Sequence, residues 1–228
     1  MAPDQLVDAI VMAAGEGRRL RPITERWPKP VLPIDGKPVI VTLLNELAEA
    51  GCERAWVVTG HLAEQVEELV SGSKPGLEIR FVRQPAPLGS ADAVSRALTA
   101  GARPPCLVSA ADTVYAPGDV ARLAASAQAA IAWRRSPPGA ALGLEAGRIR
   151  RVRGAGEHFA APLWVLTAEV AGHLEGLPGP PFELATAFQR AIDAGTTVIG
   201  VEVGPTRDLT VPADLVRHNF LYLGSGDE

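Results

Sequence analysis

The chain has 228 residues and a net charge of −4, which is long enough to bury the core of one α/β domain. Apolar residues make up 47% of the sequence and charged residues 21%, a balance that excludes wholesale disorder. The acidic charge argues against a broad nucleic-acid-binding face. Because the sequence has no run of about 20 apolar residues, no membrane span is expected. Cys52 and Cys106 lie in apolar stretches, which favours reduced core thiols in a cytoplasmic protein.

The front of the chain alternates predicted strands and helices. An apolar strand at 7–13 runs into a glycine-containing loop, and a helix at 39–50 starts after Pro38 and ends before Gly51. The alternation continues with strands at 55–59, 78–82 and 106–110 and helices at 62–70 and 91–100. This order predicts a mostly parallel sheet covered by helices.

The alternation of strands and helices is less regular after residue 112. A helix at 120–129 and a strand at 131–134 are followed by a hairpin that turns at Gly147. The remaining predicted elements are the hairpin strands at 141–144 and 149–152, a strand at 163–166, helices at 168–174 and 183–194, a strand at 197–203 and a helix from Pro212. We expect a single domain over residues 1–228.

The first strand leads into a loop of chemical interest, Gly15-Glu16-Gly17-Arg18-Arg19. Glycines at the carboxyl end of a first strand let backbone N–H groups approach phosphate oxygens. Arg19 can add bidentate contacts, and Lys29 further along supplies a compact positive charge. The alternative is a glycine turn followed by a solvated basic loop, because Gly-x-Gly alone matches neither the dinucleotide fingerprint nor the Gly-Lys-Ser/Thr phosphate loop.

Residues 11–38 resemble the signature of the sugar-phosphate nucleotidyltransferases, Ala-Gly-Gly-x-Gly-x-Arg-Leu-x-Pro-x-Thr, then Pro-Lys-x-Leu and Gly-Lys-Pro. The positions that fall on this pattern are Gly15, Gly17, Arg19, Leu20, Pro22, Thr24, Pro28, Lys29, Leu32, Gly36, Lys37 and Pro38. The resemblance implies a Rossmann-like nucleotidyltransferase fold, with a mixed, mostly parallel central sheet and helices on both faces. It also implies a nucleotide-binding half at about 1–115 and a sugar-phosphate-binding half at about 116–222.

For the nucleotide side, the resemblance implies that a nucleoside triphosphate contacts Ala13, Gly15, Gly17, Arg19 and Lys29. Arg19, Lys29 and Asp112 would then be the catalytic residues. The run from Gln84 to Ala91 resembles the family's Gln-x-x-Pro-Leu-Gly-Thr-Ala, in which Gln84 and Gly89 would face the base. A simpler interpretation of Ser90 is that it caps the helix that follows it.

A predicted strand ends just before Asp112, at the edge where open α/β sheets place their ligands. A hard dication needs carboxylate oxygens there, and the resemblance implies that Asp112 and Asp208 hold Mg²⁺. The sequence departs from the family at Ala111, where glycine is usual, and around Thr210. The alternatives are that Asp208 is an ordinary loop acid and that Asp214 is a first-turn helix acid favoured by the helix dipole.

The acceptor side matches the family more loosely. Gly143 and Glu183 stand where family members contact the sugar, although Glu183 could equally be a first-turn helix acid. The lysine that usually binds the sugar phosphate is missing, and Arg153 is the candidate for its place. Strand alternation puts Arg151 on the same face, so the sequence does not separate these two arginines.

Together these features predict an enzyme that converts a nucleoside triphosphate and a sugar 1-phosphate into an NDP-sugar and pyrophosphate, with UTP or dTTP as the expected donor. Neither nucleic acid nor membrane is an expected partner, and the oligomeric state stays open. One alternative is a phospho-alcohol cytidylyltransferase, for example one that acts on phosphocholine. Another is a non-catalytic nucleotide-binding homologue. A dinucleotide-binding dehydrogenase lacks support, because its glycine spacing is absent.

Overall fold

A computed structural model describes residues 6–126, 128–135, 140–154 and 156–220, so both ends of the predicted domain lie outside the described residues. The strands are β1 (Asp8–Ala13), β2 (Pro33–Ile34), β3 (Lys37–Pro38), β4 (Arg54–Thr59), β5 (Glu78–Arg83), β6 (Cys106–Ala110), β7 (Thr113–Val114), β8 (Ala130–Arg134), β9 (Gly143–Glu145), β10 (Arg148–Arg151), β11 (Phe159–Leu166), β12 (Ile199–Glu202) and β13 (Arg207–Asp208). The α-helices are α1 (Val39–Glu49), α2 (Ala63–Ser73), α3 (Ser90–Ala100), α4 (Asp119–Ala124), α5 (Ala168–Ala171), α6 (Leu184–Asp193) and α7 (Pro212–Asn219).

One nine-stranded sheet forms the centre, in the order β5-β4-β1-β6-β11-β8-β12-β10-β9. Strand β1 pairs in parallel with β4 and β6, and β4 pairs in parallel with β5. Parallel strands need a crossover between them, and the predicted helices supply it. The carboxyl ends of β1 and β6 therefore meet at one edge of the sheet, which is where the candidate site lies.

Helices cover both faces of this sheet, as predicted. The side chains of β1 alternate, so that Val11 packs with Leu43 of α1 and Leu123 of α4 in one buried cluster. Ile10 points the other way and joins a second cluster with Phe188 of α6. Each cluster removes a broad apolar surface from water, which is the main stabilising contribution to the fold. Within the described residues, no helix has the length and apolarity needed to cross a bilayer.

Several elements after residue 112 differ from the predicted ones. Strand β11 runs antiparallel to β6 and β8, so the sheet is mixed. It begins at Phe159 instead of 163, because Pro162 hid its first residues from the strand pattern. Helix α4 ends at Ala124, and the predicted continuation to 129 is wrong, because the chain must turn before it enters β8 at Ala130.

The predicted hairpin is present as β9 and β10, joined at Ala146 and Gly147. Both linking residues have positive φ, 48° and 76°, as a type I′ turn requires. Strand β10 ends at Arg151, so Arg153 lies beyond it in a bend. Strand alternation therefore gives no basis for placing Arg151 and Arg153 on one face.

Candidate active site

Two adjoining clefts lie at the carboxyl ends of β1 and β6. The first cleft has a volume of about 300 Å³ and is lined by Met12, Ala13, Gly15, Gly17, Arg18, Arg19, Leu20, Lys29, Pro30, Ala110, Asp112, Leu209 and Thr210. The second cleft, of about 350 Å³, is also lined by residues of β8, β11 and α6. The two share Arg19, Lys29, Ala110, Asp112 and Thr210, so a ligand in one would lie directly beside a ligand in the other.

The glycine loop forms one wall of the first cleft. Gly17 adopts the left-handed conformation with φ 61°, and a Cβ there would lie 2.8 Å from Cγ2 of Thr24. The Thr24 hydroxyl donates a hydrogen bond of 2.9 Å to the Gly17 carbonyl and fixes the turn. Around Gly15 there is open space, which leaves its backbone accessible from the cleft. Only glycine suits both the conformation and the close contact at Gly17.

The basic residues of this loop differ in their partners. Arg18 donates to Glu16 at 2.7 Å, and Arg21 lies 3.7 Å from the same carboxylate. Arg19 lines both clefts and has no ion-pair partner among the residues that the structure describes. Its guanidinium is therefore available for an anionic ligand.

Two carboxylates predicted from distant parts of the sequence converge in the cleft. The Thr113 hydroxyl donates a hydrogen bond of 2.8 Å to Oδ1 of Asp208, and it lies 3.2 Å from Oδ1 of Asp112. Pairing of β7 with β13 places Thr113 opposite Asp208, although 95 residues separate the two in sequence. Lys29 Nζ contacts Oδ2 of Asp112, and the Arg134 guanidinium is 3.6 Å from Oδ2 of Asp208.

This donor set suits Mg²⁺. The side chains of Asp112 and Asp208 keep 31% and 16% exposure, so their oxygens remain accessible. Magnesium is commonly held by one or two protein carboxylates together with substrate phosphates. Over the described ranges, no three or more His, Cys, Asp or Glu side chains are grouped to hold a metal. A metal at this position would therefore complete its coordination with substrate and water.

Asp214 is a helix-capping residue. It accepts hydrogen bonds from the backbone N–H groups of Thr210 and Val211 at 2.8 and 2.9 Å, and it pairs with Arg217 at 3.0 Å. Burial acts to raise the pKa of Asp214, but these backbone hydrogen bonds and Arg217 outweigh it and lower the pKa. The simpler interpretation of this residue from the sequence, a first-turn acid, describes its contacts.

Gln84 and Gly89 hold the loop before α3. Gln84 is only 5% exposed, and its amide nitrogen donates to the Gly89 carbonyl at 3.0 Å and to Asp92 at 2.8 Å. Neither Gln84 nor Gly89 belongs to the described lining of either cleft, so their assignment to the base stays a prediction. Gly89 has φ 108°, and a Cβ there would lie 2.4 Å from the carbonyl oxygen of Phe182. The backbones of Leu88 and Ala91 are hydrogen-bonded to Phe182 at 2.7 and 2.8 Å.

Ser90 does not cap its own helix, as the simpler interpretation expected, because Gly89 is the N-terminal cap of α3. Its hydroxyl instead accepts the N–H of Leu184 at 2.8 Å and donates to Glu183 at 3.1 Å. Glu183 is the N-cap residue of α6. Ser90 thus joins the start of α3 to the start of α6 across more than 90 positions of sequence, and no local pattern could have predicted the contact.

The structure separates the candidate acceptor residues. Arg153 lines the second cleft, whereas Arg151 does not. Gly143 pairs with Arg151 in the hairpin, where an added Cβ would lie 3.2 Å from the Arg151 Cβ. Neither Gly143 nor Glu183 belongs to the described lining of either cleft, so their assignment to the sugar stays a prediction.

Sequence reasoning missed Thr113 and Arg134. Thr113 directly follows Asp112, but its bond to Asp208 depends on the pairing of β7 with β13. Arg134 ends the buried strand β8, and its side chain is only 5% exposed. A charged residue that closes an otherwise apolar strand is a usable signal, since buried charges are nearly always paired.

The arrangement defines the class of protein: an α/β protein with a glycine loop beside two carboxylates at a sheet edge. Residues 8–134 match the family described as nucleotidyl transferase. Because this match covers more than half of the chain, the chain belongs to the nucleotidyl transferase family.

Similar proteins include the CMP-5'-(3-aminopropyl)phosphonate synthase of Streptomyces rubellomurinus, 42% identical over 86 residues, which are 37% of this chain and 14% of that protein. The mannose-1-phosphate guanylyltransferase of Mycobacterium tuberculosis is 40% identical over 90 residues, 39% of this chain and 25% of that protein. The matched part therefore spans a quarter or less of these relatives.

Solved structures with the same fold cover nearly the whole chain. The UDP-glucose pyrophosphorylase of Acinetobacter baumannii has a TM-score of 0.80 at 22% identity and covers 93% of this chain and 92% of its own. The inositol-1-phosphate CTP transferase of T. maritima has a TM-score of 0.79 at 21% identity, with 92% and 91% covered. These likenesses show the mixed, mostly parallel nucleotidyltransferase fold.

Proposed function

We propose that this protein transfers a nucleotidyl group from a nucleoside triphosphate to a sugar 1-phosphate and releases pyrophosphate. One observation carries the proposal: Asp112 and Asp208 both contact the Thr113 hydroxyl in a cleft that also presents Arg19 and Lys29. Two acids and two cations in one place suit a triphosphate with a bound dication.

In the proposed reaction, an acceptor phosphate oxygen attacks the α-phosphorus in line. The bond from that phosphorus to the bridging oxygen breaks, and pyrophosphate leaves with the electron pair. The acceptor phosphate is already ionised near neutral pH, so no residue has to act as a general base. Positioning and charge stabilisation then account for catalysis. Arg19 and Lys29 supply that charge, and the backbone at Gly15 and Gly17 cradles the phosphates.

Asp112 and Asp208 are the residues that would hold Mg²⁺. When bound there, the ion would neutralise charge on the triphosphate oxygens. Thr113 keeps the two carboxylates at a fixed separation through its contacts with both. Arg134 lies 3.6 Å from Asp208 and limits its movement. The protein therefore presents a prearranged pair of carboxylates, and little reorganisation is needed on substrate binding.

UTP or dTTP is the proposed donor. The amide nitrogen of Gln84 is engaged by Gly89 and Asp92, so its oxygen is left to accept a hydrogen bond. Uracil and thymine carry a ring N–H that can donate to this oxygen.

A second candidate is transfer of CMP to a phosphonate or phospho-alcohol. It is favoured by the Streptomyces relative and by the 2-aminoethylphosphonate cytidylyltransferase of Lancefieldella rimae, which is 50% identical over 58 residues, 25% of this chain.

A substrate panel tests both candidates. Each of UTP, dTTP, CTP and GTP is combined with glucose 1-phosphate, mannose 1-phosphate, phosphocholine and 2-aminoethylphosphonate, and pyrophosphate release is followed with Mg²⁺ or with EDTA. We expect Mg²⁺-dependent release with a sugar 1-phosphate and UTP or dTTP. Activity with CTP and a phosphonate alone would favour the second candidate, and no activity with any pair would favour a non-catalytic nucleotide-binding protein.

The Asp112→Asn variant tests the carboxylate pair itself. It should lose turnover by about a hundredfold or more, the scale of one lost preorganised charge contact, while its melting temperature stays close to that of the parent. The matched control is Glu68→Gln, because Glu68 is exposed on α2 and lies outside both clefts. Near-normal turnover in Asp112→Asn would reject the proposed metal role.

A further inference from the structure

A groove leaves the second cleft and follows helix α6. It encloses about 630 Å³ and is lined by Arg150, Arg151, Val152, Arg153, Ala185, Thr186, Gln189 and Asp193. Val152, Arg153 and Ala185 line the second cleft as well, so the groove adjoins that cleft. The groove runs from the start of α6 towards its end, about 12 Å at the rise of an α-helix. That length exceeds what a single small acceptor phosphate would need.

The groove carries an excess of positive charge. Arg150 lies 3.4 Å from Glu145, which compensates it in part. Arg151 and Arg153 have no ion-pair partner within the described ranges, and both are exposed. The single acid of the lining, Asp193, already accepts a hydrogen bond of 2.9 Å from Gln189. Two arginine side chains are therefore left to bind an anion.

The walls of the groove are fixed to one another. Oε1 of Gln189 accepts the backbone N–H of Val152 at 2.9 Å, which ties the end of the hairpin to α6. Thr186 and Gln189 are one turn apart and share a face of the helix. A site whose walls are already joined loses little conformational freedom on binding.

We propose that the acceptor extends from the second cleft into this groove and carries a second anionic group, which Arg151 binds. Arg153, at the border of the two spaces, then faces the reacting phosphate. A guanidinium matches the planar geometry of a carboxylate or the oxygens of a phosphate in a bidentate contact. The substrate class is thus a sugar 1-phosphate with a further acidic substituent. This inference rests on the proposed nucleotidyl transfer.

The same charges disfavour the second candidate function. An aminoalkylphosphonate carries an ammonium group, which would lie in a groove where three arginines outnumber the single acid, Asp193. Like charges in contact lower affinity and exclude wrong ligands. The groove therefore separates acidic acceptors from cationic ones.

The experiment compares kcat/KM for glucose 1-phosphate, glucuronic acid 1-phosphate, glucose 1,6-bisphosphate and 2-aminoethylphosphonate with the best donor from the panel. Glucose 1-phosphate has no charged group besides its phosphate. Glucuronic acid 1-phosphate adds a carboxylate, glucose 1,6-bisphosphate adds a second phosphate, and 2-aminoethylphosphonate carries an amine. We expect one of the acidic acceptors to exceed glucose 1-phosphate by about tenfold or more, the scale of a charged hydrogen bond. The better of the two identifies the anion.

Arg151→Gln should bring the ratio of acidic to neutral kcat/KM close to one. Arg148→Gln is the matched control, because Arg148 is exposed on the same strand but does not line the groove, and it should keep the ratio. The inference is overturned if the parent protein prefers glucose 1-phosphate, or if Arg151→Gln keeps the acidic preference. If the parent protein shows no activity with any pair of donor and acceptor, the proposed function is rejected, and the groove inference with it.

Discussion

The two sides of the candidate site are built by different kinds of contact. The proposed nucleotide side, the first cleft, comes mostly from one stretch, residues 13–30, with the end of β6 beside it. The proposed acceptor side, the second cleft, is assembled from β8, the bend after β10, β11, α6 and the region around β13. A phosphate loop depends on backbone geometry that neighbouring residues dictate, whereas acceptor recognition depends on side chains that only the tertiary fold brings together.

The two sides also differ in their charge balance. Of the three basic residues that line the first cleft, two are paired, Lys29 with Asp112 and Arg18 with Glu16, and Arg19 has no ion-pair partner among the described residues. On the acceptor side, Arg151 and Arg153 have no such partners among the described residues. Paired charges hold the nucleotide side in a defined arrangement before any ligand binds. The acceptor side instead keeps uncompensated charge, which a suitably anionic ligand would neutralise.

The largest expected effect tests the nucleotide side. Lys29→Ala should lower kcat by about a hundredfold to a thousandfold, because it removes a fixed charge from the position of the transferring phosphate. Steady-state kinetics measures this effect, and thermal unfolding checks that the fold is retained. Lys37→Ala is the control, because Lys37 belongs to the same part of the chain but is exposed and outside both clefts. Similar kcat values in both variants would show that the paired charges of this side do not contribute to catalysis.

A smaller effect is expected where the two sides meet. Gly89→Ala should destabilise the protein by about 2 kcal/mol or more, because φ is 108° and the new Cβ would lie 2.4 Å from the Phe182 carbonyl oxygen. Urea unfolding gives the change in free energy. Gly72→Ala is the control, because Gly72 lies in α2 with open space around it and alanine there should stabilise by about 0.5 kcal/mol. If Gly89→Ala is as stable as the parent, the two sides are not held together at this contact.

The sequence was sufficient to predict which residues form the first cleft, because the signals there are local. Strand β1 is an apolar run, the glycine loop follows it directly, and Lys29 lies only a few residues further on. The α-helices and the central-sheet strands up to Ala110 follow from hydrophobic periodicity and glycine or proline punctuation, so their bounds differ from the predicted ones by a few residues at most. The short strands β2 and β3 were not predicted.

The acceptor side was predictable only in outline. The bond of Ser90 to Leu184 and the bond of Thr113 to Asp208 join parts of the chain that are 94 and 95 residues apart. Arg151 and Arg153 could not be separated, because the alternation that relates them ends with β10. The groove along α6 depends on how that helix packs on the hairpin, which no sequence period encodes.

The smallest expected effect concerns an acidic residue in the first half of the chain, whose charge is not compensated as the charges in the cleft are. Glu46 of α1 has a buried oxygen, Oε2, with no hydrogen-bond partner among the described residues. Burial, and then the charges of Glu49 and Asp119, raise the pKa of Glu46 from the ordinary 4.5 to about 7. A raised carboxyl pKa means that the folded state prefers the protonated form. Its contribution to stability is therefore complete below about pH 4.5 and is lost as the pH rises through about 7.

Glu46→Gln removes this titration, because glutamine stays neutral. At about pH 8, urea unfolding should give the variant a free energy of unfolding about 1 kcal/mol higher than that of the parent, once partial exposure to solvent is allowed for. The difference should be smaller at about pH 5. Glu68→Gln, an exposed change on α2, should leave the pH dependence as it is. If the variant gains the same free energy of unfolding at both pH values, Glu46 is ionised throughout. The first half of the chain would then compensate its acids away from the cleft as well as in it.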